Sequence, residues 1–83
     1  MENIIKLTLS NGMNVEIDTT KATGHTLMQA RKSSQNGESV IVYVMAEIST
    51  FNGEKIPAPE ILNFKIKDIL VLEKVFNEAF TGE

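Results

Sequence analysis

The sequence predicts an α+β fold. An N-terminal β-hairpin is followed by three helices, the second of them open between helix and strand and the last one long and amphipathic. Three observations carry this. Ile5, Leu7 and Leu9 alternate with polar residues, Met13, Val15 and Ile17 do the same, and Ser10-Asn11-Gly12 lies between the two runs. Two alternating runs about a Gly-containing turn mark a hairpin. Near the other end, Ile69, Leu72, Phe76, Ala79 and Phe80 recur at helical spacing. The chain of 83 residues, 42% hydrophobic and 23% charged, suits a single domain spanning residues 1–83 with one modest core.

The hairpin register follows from its pattern. A two-residue Asn-Gly loop would pair Ser10 with Met13 and set Leu7 opposite Glu16, mixing the two faces. A three-residue loop pairs Leu9 with Met13, Leu7 with Val15 and Ile5 with Ile17, so every apolar side chain lands on one face. That loop is a type I turn with Gly12 in the left-handed conformation. A two-stranded hairpin is marginal alone, so its apolar face has to cover other elements, with helices as the expected cover.

Thr23 is placed to cap a first helix running through Leu27, Met28 and Ala30 to about Gln35, with Asn36-Gly37 as its stop. The next segment, Ser39 to Thr50, is ambiguous. Val40 to Val44 is mostly β-branched and favours a strand, yet the apolar run continues through Met45, Ala46 and Ile48, as a buried helix would. Asn52-Gly53 reads as a turn. Pro57 and Pro59 suit a first helical turn and predict a short helix around Glu60 to Asn63. The closing helix is predicted from about Lys67 to Phe80, with Thr81-Gly82 ending it.

Composition disfavours several function classes. The formal net charge is −3 and the eight Lys and Arg form no basic run, which argues against nucleic-acid binding. With no cysteine and one histidine, His25, the chain offers no thiolate chemistry, and no Asp/Glu spacing resembles a calcium loop. No phosphate-binding glycine motif or nucleophile elbow occurs. The expectation is therefore no enzyme, no catalytic residues, no metal and no cofactor. The longest apolar run, Val40 to Ala46, is far shorter than the roughly 20 residues of a membrane span, and the opening residues lack a signal-peptide core. The expected location is the cytoplasm.

The candidate contacts for a protein partner lie on the closing helix. Val71 and Val75, one turn apart, fall away from the centre of the apolar arc and would form a small exposed stripe if that arc faces the core. Glu73 falls inside the arc, where an unpaired buried carboxylate would be costly. It either meets a partner, reaches solvent or pairs with a lysine. The arc itself is expected to lie under the hairpin face of Ile5, Leu7, Val15 and Ile17. Four methionines fit either core filling or an adaptable binding surface.

The order of features resembles the small tail assembly chaperones of tailed bacteriophages and prophages. The resemblance rests on a hairpin at LSNGMNVEID, a Thr-Gly-led helix with Thr23, Gly24 and Leu27, an apolar segment, a Pro-containing turn, and a closing helix with Ile66, Asp68, Ile69, Leu70 and Leu72. It implies that Val40 to Ile48 is a helix. It also implies a non-enzymatic protein of the bacterial host cytoplasm that binds the tape-measure protein, keeps it soluble and helps recruit tail-tube subunits. A prophage-encoded regulator that binds a host protein and a tail or connector subunit retained in the virion are the competing readings.

Overall fold

The computed structural model describes residues 4–34 and 38–81. In chain order these form β1 (Ile4–Thr8), β2 (Asn14–Asp18), a 3-10 turn (Thr19–Lys21), α1 (Gly24–Ser33), α2 (Val40–Ile48), β3 (Ser49–Phe51), α3 (Ala58–Ile61) and α4 (Ile66–Thr81). The α+β class and the hairpin with its long closing helix are as expected.

The hairpin has the three-residue register: Ile5 faces Ile17 and Leu7 faces Val15. Leu9 donates its N–H to the Met13 carbonyl at 2.9 Å, and Gly12 donates back to the Leu9 carbonyl at 3.0 Å. Gly12 has φ +88°, the left-handed conformation this loop requires. Val15, Ile17 and Leu9 are buried on the inner face, while Lys6 and Glu16 sit opposite one another on the wet face. One side packed and one side solvated is the usual economy of an antiparallel sheet.

A third strand, which the sequence reading did not anticipate, joins the hairpin. β3 pairs antiparallel with β2, setting Phe51 beside Val15, Thr50 beside Glu16 and Ser49 beside Ile17. The pairing is closed by two asparagines. Asn52 donates its N–H to the Asn14 carbonyl at 2.7 Å, and the Asn14 N–H donates to Asn52 Oδ1 at 2.8 Å. Asn52-Gly53 is a turn as predicted, with both residues at positive φ, so that Phe51 and Glu54 pair across it.

Val40–Ile48 is a helix, which resolves the ambiguous segment. The physical reason is where it sits. α1, α3, α4 and the sheet all pack against α2, so a wide arc of it is buried, including Val42, Val44, Met45 and Ile48. The propensity penalty for valine in a helix is a few tenths of a kcal/mol per residue, and central burial exceeds it. Ser39 caps the start, its Oγ accepting from the Val42 N–H at 3.4 Å.

α1 starts where expected, with Thr23 as N-cap and a reciprocal bond from the Thr23 N–H to Thr26 Oγ1. The predicted stop at Asn36-Gly37 lies outside the described residues. α3 starts two residues earlier than the predicted turn, with Pro57 as its N-cap and Pro59 in its first turn. One core joins all layers, with Phe51, Ile61, Leu72 and Met45 among its most enclosed side chains. Phe64 closes one flank, its ring edge-on to Phe51 at 6.0 Å.

Candidate protein-docking surface

α4 owes its position to its carboxylates as much as to its apolar arc. Leu72 is fully buried and Ile69, Val75 and Phe76 are half-buried against the core. Asp68, in the first turn, is 1% exposed. Its Oδ1 accepts the Ser10 N–H and its Oδ2 accepts the Ser10 hydroxyl, both at 2.8 Å. The carboxylate thereby clasps the hairpin turn while lying at the positive end of the α4 dipole. Glu73 accepts the Ser39 hydroxyl at 2.9 Å. It thus bonds the residue that caps α2, and adds negative charge near that helix's N-terminus. α4 packs chiefly on α2 and reaches the hairpin turn through Asp68. This differs from the expected seat of its arc under the hairpin, because α2 occupies the middle of the fold.

The three residues singled out for partner contact therefore part company. Val71 is 40% exposed, Val75 packs against the core, and Glu73 is engaged within the fold. Val71 and Val75 do not share an exposed stripe. Two residues better placed for contact went unnoticed in that role: Ile66, 78% exposed, and Leu70, 56% exposed, one turn apart on the outer side of α4. The signal for them was present, since both lie across the helical wheel from Leu72. Lys67 and Lys74, two turns apart, project beside them and are exposed.

A second apolar feature lies where the start of α1 meets the end of α4. Ala22, Leu27, Val44, Phe76 and Phe80 line a groove of about 280 Å³. The Phe76 and Phe80 rings are 4.8 Å apart, with Leu27 and Phe80 still partly exposed. Met28 stands out from α1 at 66% exposure, whereas Met45 is buried. A larger groove of about 370 Å³ runs between α1, α2 and residues 55–59 and is more polar, with Gln29, Tyr43, Glu47 and Lys55 on its walls. There Lys55 Nζ donates to the Glu47 carbonyl.

The Thr20 hydroxyl and N–H donate to Asp18 Oδ1 and hold that carboxyl below its usual range. The Tyr43 hydroxyl donates to Glu38 Oε1 at 2.6 Å, which raises the phenol above its usual value. His25 is exposed in the first turn of α1. Among the described residues, no group of three or more His, Cys, Asp or Glu is placed to hold a metal ion, and no helix is long and apolar enough to cross a membrane.

No protein-family model, no curated protein and no solved structure matches this chain.

Proposed function

We propose that this chain is a protein-binding module with the role of a tail assembly chaperone of a tailed phage or prophage. In this role it acts in the cytoplasm of the bacterial host, binds the tape-measure protein, keeps it soluble and helps recruit tail-tube subunits. No reaction is assigned to it. The observation that carries the binding reading is the outer side of α4, where Ile66, Leu70 and Val71 stay exposed while Asp68 and Glu73 of the same helix are spent on internal bonds. Exposed apolar side chains gathered on one helix are a recurrent mark of protein contact. The phage assignment is supported by the order of sequence features, from the Gly12 hairpin through the Thr23-capped helix to the closing α4.

Co-expression with a tape-measure fragment tests the proposal. The fragment is expected to move into the soluble fraction with the chaperone present, and to lose that protection when Ile66 and Leu70 are both changed to Ser. No gain in solubility would sink the chaperone role. Recovery of the protein from purified virions would favour a structural tail subunit instead.

A further inference from the structure

We infer that the outer face of α4 docks an acidic amphipathic helix of its partner. The inference rests on the binding reading above and adds the chemistry of what is bound. The chain as a whole is acidic, with net charge −3. The first three turns of α4 invert that sign at the surface. Asp68 is buried on Ser10 and half-buried Glu73 is bonded to Ser39, so both carboxylates are turned toward the fold and the lysines hold the outer side. Lys67 and Lys74 are exposed on the outer side, about 10 Å apart along the axis. Between and beside them stand Ile66, Leu70 and Val71. Glu78, one turn past Lys74, is the acid that shares this side, at its far end.

A convex ridge of this kind is met by another helix whose side chains interdigitate with it. The apolar residues require an apolar stripe, and the lysines require carboxylates flanking it. Charge arranged in this way sets the choice of partner and the encounter rate more than the depth of binding. A second copy of this chain is a poorer occupant, because it would bring the same lysines to the interface.

The test uses the full chain, labelled with ¹⁵N, and synthetic peptides of about 18 residues, long enough for helix formation in water. One peptide carries a Leu stripe flanked by Glu, a second the same stripe flanked by Lys, and a third the Glu composition with the stripe broken. The Glu-flanked peptide is expected to shift the amides of residues 66–78 and to weaken as salt rises. The Lys-flanked and stripe-broken peptides are expected not to bind there. In the double variant Lys67→Glu/Lys74→Glu, affinity for the Glu-flanked peptide should fall about 10-fold and preference should pass to the Lys-flanked one. Both positions are exposed, so circular dichroism should report an unchanged fold.

Equal binding of both charged peptides, shifts confined to the groove at Leu27, Phe76 and Phe80, or no binding at all would overturn the inference. Concentration-dependent shifts on α4 without peptide would overturn it too, in favour of a second copy. The tape-measure assay separates the two levels. If solubilisation survives the lysine reversal, the chaperone reading stands and the acidic helix falls. If the Glu-flanked peptide binds as described but no tape-measure fragment is protected, the docking face stands and the tail role falls.

Discussion

The clasp between Asp68 and Ser10 yields a prediction whose size depends on which partner is removed. Asp68 is 1% exposed and Ser10 is exposed. Deleting the carboxylate with Asp68→Ala frees the Ser10 N–H and hydroxyl, and both are near enough to solvent to find water. Two bonds to a charged acceptor are lost, each worth about 1.5–3 kcal/mol, but the desolvation of the charge is relieved at the same time. The expected net loss is about 2 kcal/mol. Ser10→Ala keeps the bond from the backbone N–H but leaves Oδ2 buried without a donor, which costs about 1–3 kcal/mol. The smaller chemical change thus does comparable damage. Asp68→Asn can still accept from the N–H and donate to the hydroxyl oxygen, and should lose about half as much as Asp68→Ala.

A chain of this length has a total stability of about 4–12 kcal/mol, so 2 kcal/mol is a large share of it. With an m-value of about 1 kcal/mol per M, the urea midpoint should drop by about 2 M. The melting temperature should drop by about 8–16 °C. The double variant Ser10→Ala/Asp68→Ala should be less destabilised than the sum of the singles by about 1 kcal/mol or more. Urea denaturation of the four proteins, followed by circular dichroism, gives the cycle. Single variants within about 0.5 kcal/mol of the parent, or strict additivity, would refute the view that this bond fastens α4 to the hairpin.

Three further outcomes follow from other positions. Gly12→Ala should cost about 1 kcal/mol because of φ +88° alone, since a Cβ there meets no neighbour, whereas Gly24→Ala at the start of α1 should gain about 0.5 kcal/mol; thermal melts giving the same sign for both would contradict the argument. The Ser49 hydroxyl is buried without a hydrogen-bond partner, so Ser49→Ala should be neutral or stabilising by up to about 1 kcal/mol, and a clear loss in urea midpoint would show that the hydroxyl is satisfied. Asp18 is held below the ordinary carboxylate pKa by Thr20, so its ionised form favours the fold; the contribution is present above the unfolded-state pKa and disappears as pH falls through the folded-state value. Carboxyl NMR titration of Thr20→Val should show the Asp18 pKa moving up toward normal, and an unmoved pKa would dismiss the Thr20 bond as its cause.

Elements governed by near neighbours could be read in advance. The Leu9–Met13 register follows from two short alternating runs, the start of α1 from Thr23, and the existence of α3, though two residues earlier than predicted, from Pro57 and Pro59, because each depends on residues within a few positions. Elements governed by distant contacts could not. β3 is three residues long and exists through its pairing with β2, sealed by Asn14 and Asn52, 38 positions apart. Val40–Ile48 has the β-branched content of a strand and becomes a helix because three helices and the sheet enclose it. The surface of α4 was misplaced for a related reason. Its apolar arc could be drawn on a wheel, but its centre depended on the seat against α2. That seat packs Val75, half-buried, against the core and leaves Ile66 and Leu70 outside. Nothing local indicated that Glu73 would meet Ser39, 34 positions earlier.

The Asp68–Ser10 clasp also bears on the order of assembly. It joins residues 58 positions apart, and closing a flexible loop of that length costs about 3.5 kcal/mol in chain entropy. The clasp alone does not offset that, so it forms after the sheet and α2 have already brought its ends together. α4 follows every other described element in the chain and takes about 1–3 s to synthesise at common translation rates. Until α4 docks, the side of α2 that it covers has no partner there. A bond made this late belongs on the unfolding side of the barrier, where its strength governs how long the finished molecule stays closed more than how quickly it folds.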